Sequence, residues 1–191
     1  ENLHDCFFAA IQDAAGTMGK SLEEVFRQAR VVGYGTTVGT NILVSGGVGG
    51  AKLGLITTRG HEDRTVIGRL RTAGLPPVEA LHRVAAEAPT PIIGRSLIKG
   101  VTERVDFLGE IVIPLNESEV RRVVKELLDE GVEGIAVCLL WSFLNPAHEQ
   151  KIMKIIQEMA PEVVCATSSE VAPKVREYTR FMSTIIDLYI G

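Results

Sequence analysis

Hydrophobic residues along the chain follow two alternating patterns, short unbroken apolar runs and apolar positions at helical spacing. The unbroken runs predict buried β-strands over 30–34, 52–58, 134–140 and 163–166. Apolar residues three and four apart predict helices around these strands, and the most regular helix carries Val120, Val123, Val124, Leu127 and Leu128. From residue 134 onward strand and helix alternate, which favours a parallel sheet with right-handed crossovers.

Residues that start and end helices stand where these patterns change. Asn116 predicts the start of the helix that carries the apolar stripe, and Gly131 predicts its end. Asn145 followed by Pro146 predicts a cap and a first helical residue, and Pro173 predicts the start of the last helix. These residues set the expected boundaries of the helices in the second half of the chain.

The remaining patterns complete the predicted fold. Segments 102–106 and 110–114 flank Phe107-Leu108-Gly109, which predicts an antiparallel hairpin with Gly109 in the turn. The sequence therefore predicts an α/β fold, with a mostly parallel sheet, flanking helices and a β-hairpin excursion. We expect residues 1–29 to form an N-terminal helical segment and residues 30–191 to form the α/β domain. Between 69 and 100 prolines interrupt the pattern, and we predict a lid or an interface there, with one helix over 78–86.

Composition and charge exclude several classes of protein. The apolar fraction of 46% and the charged fraction of 23% are typical of a globular chain. A net charge of −4 argues against nucleic acid as a partner, and no apolar run reaches the roughly 18 to 20 residues that span a membrane. Cys138 and Cys165 are interpreted as core residues because they belong to apolar runs. Three widely spaced cysteines, with Cys6, and no recognisable signal peptide predict a reducing, cytoplasmic compartment.

A turn of small and hydroxyl-bearing residues, Gly35-Thr36-Thr37, connects the predicted strand over 30–34 to a helix that contains Asn41. Thr36 or Thr37 can cap this helix, whose first N–H groups have no partner within the helix. Such a point attracts anions and polar substrate groups. An ordinary N-cap without a ligand is the alternative, and local chemistry alone favours it.

Two more polar loops follow predicted strands. Thr58 and His61 come at and after the end of the strand over 52–58, and Glu170 comes after the strand over 163–166. The carboxyl ends of parallel strands meet at one edge, where ligands bind in open α/β sheets. We therefore expect these loops to lie on one edge with the threonine turn, although a solvated loop explains His61 at least as well.

Arg176 and Arg180 stand four residues apart in a predicted helix, so that both side chains share one face. Two guanidinium groups in this arrangement could clamp a phosphate or a carboxylate. Pairing with Glu177 or with a neighbouring subunit explains them equally well, and both alternatives stay open.

Motifs of several other chemistries are missing from the sequence. The four histidines are dispersed without metal-ligand spacing, and we interpret His148 and Glu149 as a solvated first turn of a helix. The glycines of 46–50 follow a helix and lack the Gly-Lys-Ser/Thr end of a Walker loop, so they predict a linker turn. No Gly-x-Ser-x-Gly elbow supports a serine nucleophile. The sequence thus predicts no metal site and assigns no catalytic residue.

Six motifs in register give the chain a family resemblance. They are Val32-Gly-Tyr-Gly-Thr-Thr-Val-Gly-Thr-Asn41, Gly54-Leu-Ile-Thr-Thr-Arg-Gly60, Glu103-Arg-Val-Asp106 with Gly109, Pro114-Leu115, Asn145-Pro146-x-His-Glu149, and Ser168-Ser-Glu-Val171 with Pro173 and Arg176-Glu-Tyr178. From residue 30 on, the chain resembles the N-terminal region of the hydantoinase A, 5-oxoprolinase and acetone carboxylase family. Residues 75–88 and 95–100 look closer to the ketone carboxylase branch.

This resemblance implies one lobe of an actin-like, sugar-kinase-like ATPase. It implies an enzyme that uses ATP with Mg²⁺ or Mn²⁺ to phosphorylate a carbonyl or enol oxygen and then hydrolyses a cyclic amide. An ATP-dependent ketone carboxylase subunit is the alternative, and a non-catalytic scaffold that docks a partner is the second. The implied partner is a hydantoinase B-like subunit or domain, in an oligomer. The positions expected to line the substrate or nucleotide cleft are Gly35, Thr36, Thr37, Asn41, Thr58, Glu170 and Arg176.

The chain departs from the family in its phosphate-binding segments. The Asp-x-Gly-Gly-Thr stretches of the family are absent from the sequence, and we expect one before Glu1 and the other after Gly191. We interpret the chain as a piece of a longer polypeptide or a processed subunit. The resemblance therefore predicts that this chain alone does not hydrolyse ATP.

Overall fold

The chain divides into two units, Glu1–Val38 and Gly39–Gly191, each of which is described by itself. The structure is a computed structural model, and it describes residues 3–33, 35, 37–44, 50–67, 78 and 91–190. Apart from Val78, the predicted helix over 78–86 lies outside these residues, as do Gly46 to Gly49 of the predicted linker turn.

The first unit contains two helices, α1 (Leu3–Thr17) and α2 (Leu22–Gln28). They contact each other through Phe8 and Phe26, whose ring centroids lie 6.5 Å apart in an edge-on arrangement. Ser21 caps α2, because its hydroxyl accepts a hydrogen bond from the Glu24 backbone N–H while the Glu24 carboxylate accepts one from the Ser21 N–H.

The predicted strand over 30–34 is wrong for its described residues. Val31, Val32 and Gly33 belong to no strand, and the side chains of Val31 and Val32 are 83% and 50% exposed. Two adjacent β-branched residues favour extended backbone, but a strand also needs a neighbour to pair with, and no described strand pairs with these residues.

Among the described residues, the second unit is built on a four-stranded parallel sheet, and a parallel sheet is what the sequence predicts. The strands are β1 (Leu53–Thr58), β2 (Ile98–Val101), β5 (Gly134–Cys138) and β6 (Val164–Thr167), and they lie in the order β2-β1-β5-β6. In β1 and β5 every residue is buried, because both faces of the sheet are covered by helices.

Strand β2 is absent from the sequence-based expectations. Lys99 and Gly100 interrupt its apolar character, so the segment does not read as a buried run. The structure explains Gly100, because a Cβ there would overlap the Glu62 carboxylate and lie 3.0 Å from the Arg59 backbone. The strand is recognisable only through its neighbour β1, which pairs Leu55 with Ile98.

Helices cover the sheet on both faces. One face packs against α5 (Glu117–Asp129) and α6 (Ala147–Met159), and its core contains Ile56, Ile135, Val123, Leu127, Ile152 and Ile156. The other face packs against α8 (Glu177–Ile190), and its core contains Leu53, Leu55, Ala136, Cys138, Phe181 and Ile185. Alternate residues of each strand point to opposite faces, which makes a three-layer α/β/α arrangement.

Smaller elements connect these layers. They are α3 (Val38–Val44), α4 (Arg64–Ile67), α7 (Ser168–Val171) and a hairpin of β3 (Arg104–Val105) and β4 (Ile111–Ile113). The predicted hairpin is confirmed, with antiparallel pairing and Gly109 in the turn at φ +83°. The Asp106 carboxylate accepts hydrogen bonds from the N–H groups of Leu108 and Glu110, which fixes the turn.

The helix boundaries agree with the sequence at two places and differ at two. Asn116 caps α5 by accepting the Glu119 N–H, and Gly131 follows the helix at φ +74°. Helix α6 begins one residue later than expected, with Pro146 in the cap position. The prediction that Pro173 starts the last helix is wrong: α8 begins at Glu177, since the chain takes a left-handed conformation at Arg176, φ +77°.

Candidate functional site

A cavity of about 240 Å³ opens at the carboxyl end of the parallel sheet. It lies where the loop after β1 and the loop after β5 meet the start of α8, and its lining includes His61, Trp141, Phe143, Arg176, Glu177 and Arg180. After β1 the chain continues to β2, which lies on one side of β1 in the sheet, whereas the later strand β5 lies on the other side of β1. Ligands of open α/β sheets bind at such a switch point, so this cleft is the candidate site.

Two residues of the cleft have strained backbones. Trp141 has φ +57° and Arg176 has φ +77°, and among the described residues these are the non-glycine residues with positive φ. Bulky side chains rarely adopt this conformation, which costs of order 1–3 kcal/mol and clusters at functional sites. Both strained residues line the same cavity.

Aromatic rings form one wall of the cleft. The ring centroids of Trp141 and Phe143 lie 5.7 Å apart with the planes inclined at 38°. Behind them, the Arg180 guanidinium lies 5.4 Å from the centroid of Phe143 and 5.6 Å from that of Phe181. Cation–π contacts of this kind hold the ring of Phe143 in place.

Arg180 is a structural residue of the second unit. Its side chain is 1% exposed, and it donates hydrogen bonds to the Ser168 hydroxyl (3.0 Å), the Lys174 carbonyl (2.9 Å) and the Leu139 carbonyl (2.7 Å). Burial lowers its pKa, and the Glu149 carboxylate opposes this shift. Arg176 lies before α8, so the two arginines do not form the predicted pair on one helix face.

The interpretation of Glu149 as a solvated residue is wrong. Its carboxylate is fully buried and accepts hydrogen bonds from the Leu139 N–H (2.8 Å), the Ser168 hydroxyl (2.6 Å) and the Ser169 N–H (2.8 Å). The first turn of α6 faces the ends of β5 and β6, where backbone N–H groups need acceptors. The Asn-Pro cap directly after a central strand is the feature of the sequence that could have indicated that Glu149 lies at the end of this strand and is buried there.

His148 is also buried, and the same interpretation is wrong for it. Its Nδ1 lies 2.8 Å from the Glu103 carboxylate, which also bonds to the Thr58 hydroxyl. That hydroxyl accepts the Leu140 N–H at 3.0 Å. The Thr58 side chain is 1% exposed, and its hydrogen bonds connect the end of β1 to the loop after β5.

The other predicted site residues lie in different places. Arg176 lines the cleft, while Glu170 is exposed on α7 and Asn41 is exposed on α3. Gly35 and Thr37 are exposed residues of the first unit, and Thr36 lies outside the described residues. That the threonine turn and the loop of Glu170 share one cavity stays a prediction.

The described part of the chain shows neither a metal-binding cluster nor a membrane-spanning helix. No group of three or more His, Cys, Asp or Glu side chains there could hold a metal ion. Within the same residues, no helix combines the length and the apolar character that crossing a bilayer requires.

Comparisons with known proteins agree on one family. Residues 2–160 match the family model of the hydantoinase/oxoprolinase N-terminal region. The chain is 39% identical to the acetophenone carboxylase gamma subunit of Aromatoleum aromaticum, over 96% of this chain and 26% of that subunit. It is 30% identical to the caprolactamase subunit alpha of Pseudomonas jessenii, over 93% of this chain and 25% of that subunit.

The solved structures give the same result. A nucleotide-free structure of acetone carboxylase, from work on ATP-dependent acetone carboxylation, superposes with a TM-score of 0.84 at 30% identity, over 96% of this chain and 26% of that one. The ATP-dependent caprolactamase from Pseudomonas jessenii superposes with a TM-score of 0.70 at 27% identity, over 95% of this chain and 25% of that one. The chain thus spans about a quarter of the length of these relatives.

Proposed function

The chain belongs to the hydantoinase/oxoprolinase N-terminal family, and we propose that it is part of an ATP-dependent enzyme that phosphorylates a carbonyl or enol oxygen. The activated substrate is then hydrolysed if it is a cyclic amide, or carboxylated if it is a ketone. The chemical reason is that phosphorylation converts a poor leaving oxygen into a good one. Relatives that act on lactams, oxoproline and ketones support this common first step.

One observation favours carboxylation over hydrolysis. The chain has a higher identity to a ketone carboxylase subunit than to the caprolactamase subunit, over almost the whole chain in both cases. We therefore propose ketone carboxylation as the first reaction to test and cyclic amide hydrolysis as the second.

The cofactors proposed are ATP and Mg²⁺ or Mn²⁺. The described residues do not fit the metal, because they offer no cluster of three potential ligands, and the sequence has no Asp-x-Gly-Gly-Thr stretch. The role proposed for this chain is to line the substrate side of the site. Gly35, Thr36, Thr37 and Asn41 are further candidates for lining a substrate or nucleotide cleft.

The proposed partner is a hydantoinase B-like subunit, in an oligomer, and relatives named as subunits support it. A scaffold that docks this partner is the second candidate function. It is favoured by the hairpin, on which Phe107, Leu108 and Val112 are 60% or more exposed. The proposed compartment is the cytoplasm, which the three free thiols support.

Turnover by the full-length enzyme with its partner subunit tests the proposal. Acetone and acetophenone with bicarbonate form one set of substrates, caprolactam and 5-oxoproline the other, and the readout is ATP-dependent substrate loss with phosphate release. We expect Arg176→Ala and Thr37→Ala to lower turnover and Arg121→Ala, on the outer surface of α5, to leave it unchanged. Turnover of either set of substrates in the absence of ATP would contradict the proposal. Full activity of both Arg176→Ala and Thr37→Ala, with intact partner binding, would favour the scaffold.

A further inference from the structure

Among the described residues that line the cleft, the pairing of charges leaves the Arg176 guanidinium available for a ligand. Arg180 is committed to the Ser168 hydroxyl and to two carbonyl oxygens. Glu177 forms an ion pair with Arg64, whose Nε lies 2.9 Å from its carboxylate. Among the described residues, no hydrogen bond or ion pair engages the exposed side chain of Arg176. Arg176 lines the cleft together with His61, and the acidic residue of the lining, Glu177, is already paired with Arg64.

The rest of the lining is apolar. Trp141 and Phe143 present aromatic surface, and Leu140 and Val175 add aliphatic surface. A small inorganic ion would make no apolar contact with these side chains, so its binding would gain nothing from the hydrophobic effect. The lining therefore suits a ligand with an anionic end and an apolar body.

The size of the cleft limits the ligand. Its volume of about 240 Å³ falls below the roughly 300–1,000 Å³ of pockets that hold drug-sized molecules. Such a space matches a carboxylate on a small ring or short chain better than it matches a nucleoside triphosphate.

We propose that this cleft binds a small carboxylate with an apolar or aromatic body. The carboxylate pairs with the Arg176 guanidinium, which matches two carboxylate oxygens with two N–H donors, and the body packs against Trp141. The inference rests on the proposed function only in taking this cleft as the substrate side of the site, where the ligand is the carboxylate product of ketone carboxylation or an anionic cyclic amide such as 5-oxoproline, and not the neutral ketone or lactam. The left-handed backbone at both residues is then the conformation that turns the guanidinium and the indole toward one ligand.

Fluorescence titration of the 191-residue chain tests the proposal directly, because Trp141 is the single tryptophan of the sequence. The probes are benzoate and its neutral analogue benzamide. We expect a saturable change in emission with benzoate and about tenfold weaker binding of benzamide, since a charge-assisted hydrogen bond is lost. Trp141→Phe removes the signal and identifies its source.

Variants separate the role of Arg176 from general effects. Arg176→Ala is expected to abolish the preference for benzoate, and Arg176→Lys to keep part of it because a point charge remains. Arg121→Ala, an exposed arginine of α5 that pairs with Glu158, is expected to bind benzoate as the unmodified chain does. Circular dichroism melting of each variant shows whether it is folded.

Three outcomes would overturn the proposal. They are equal binding of benzoate and benzamide, unchanged benzoate binding by folded Arg176→Ala, and tighter binding of inorganic phosphate or ATP than of benzoate. Failure here with ATP-dependent turnover intact would refute the carboxylate site alone. Carboxylate binding without any ATP-dependent turnover would instead refute the proposed function.

Discussion

Glu149 and Arg180 hold the same residue from opposite sides. The Glu149 carboxylate accepts the Leu139 N–H at 2.8 Å, while the Arg180 guanidinium donates to the Leu139 carbonyl at 2.7 Å. Both groups also bond to the Ser168 hydroxyl. Because Leu139 lies two residues before Trp141, this buried pair fixes the segment that places the indole in the cleft, and it can offset the strain of the left-handed backbone there.

Removing the carboxylate of this pair should destabilise the fold strongly. Glu149→Ala leaves Arg180 buried without its counter-charge and three hydrogen-bond donors without their acceptor. We expect the free energy of unfolding in urea to fall by about 3–5 kcal/mol. Glu158→Ala, which breaks an exposed pair with Arg121, should lower it by less than about 1 kcal/mol. Equal midpoints for the two variants would show that the buried pair is not needed for stability.

The sequence predicted what depends on local patterns. Strands β1 and β5 are long apolar runs, and α5 has both a cap at Asn116 and an apolar stripe, so each was found. The same local patterns put a strand at 30–34, where Val31 and Val32 are exposed.

What the sequence missed depends on distant partners. Strand β2 exists because Ile98 pairs with Leu55, and Glu149 is buried because Leu139 and Ser168 supply donors to it. The residues next to a glutamate in the sequence do not indicate which distant hydrogen-bond donors its carboxylate will bind. Of the residues that line the candidate site, the sequence names Arg176 and the edge of the sheet as a prediction, and it does not name the aromatic wall of Trp141 and Phe143.

The three thiols should differ sharply in reactivity. Burial raises the pKa of Cys165 to about 12, with Glu149 and Glu170 adding to the shift, and burial raises that of Cys138 well above its ordinary value. Cys6 is exposed. Because the thiolate is the reactive form, Ellman's reagent at neutral pH should label Cys6 in the folded chain and the other two only in denaturant. Cys6→Ser should abolish the fast phase, and a second fast thiol would contradict the burial of Cys138 or Cys165.

Acid should remove the stability that Glu177 contributes. The pKa of Glu177 is lowered from its ordinary value, chiefly because its carboxylate accepts a hydrogen bond from its own backbone N–H. Burial acts in the opposite direction, and the charge of Arg64 lowers the pKa further. A carboxyl with a lowered folded-state pKa stabilises the fold fully above the unfolded value, and this stability is lost as the pH falls through the folded value. The difference in unfolding free energy between the unmodified chain and Glu177→Gln should therefore be constant near neutral pH and shrink below about pH 4.5. Urea titrations at several pH values measure it, and a difference that grows in acid would reverse the assigned sign.

Two adjacent threonines at the end of β1 provide a matched test of buried hydrogen bonding. Thr57 and Thr58 are 0% and 1% exposed, but only the Thr58 hydroxyl has partners among the described residues, the Glu103 carboxylate and the Leu140 N–H. Valine has nearly the same shape as threonine, so each substitution removes a hydroxyl without opening a cavity. Thr58→Val leaves the Leu140 N–H and one oxygen of the buried Glu103 carboxylate without this partner and should lower the unfolding free energy by about 1–3 kcal/mol.

Thr57→Val should be neutral or stabilising, because it replaces an unpartnered buried hydroxyl with a methyl group. Urea denaturation of both variants measures the difference, and amide hydrogen exchange at Leu140 shows whether the lost bond is the cause. Since Leu140 also lines the cleft, Thr58→Val should weaken benzoate binding as well, while Thr57→Val should not. Equal losses of stability in the two variants would mean that the hydrogen bonds of the Thr58 hydroxyl do not contribute to stability.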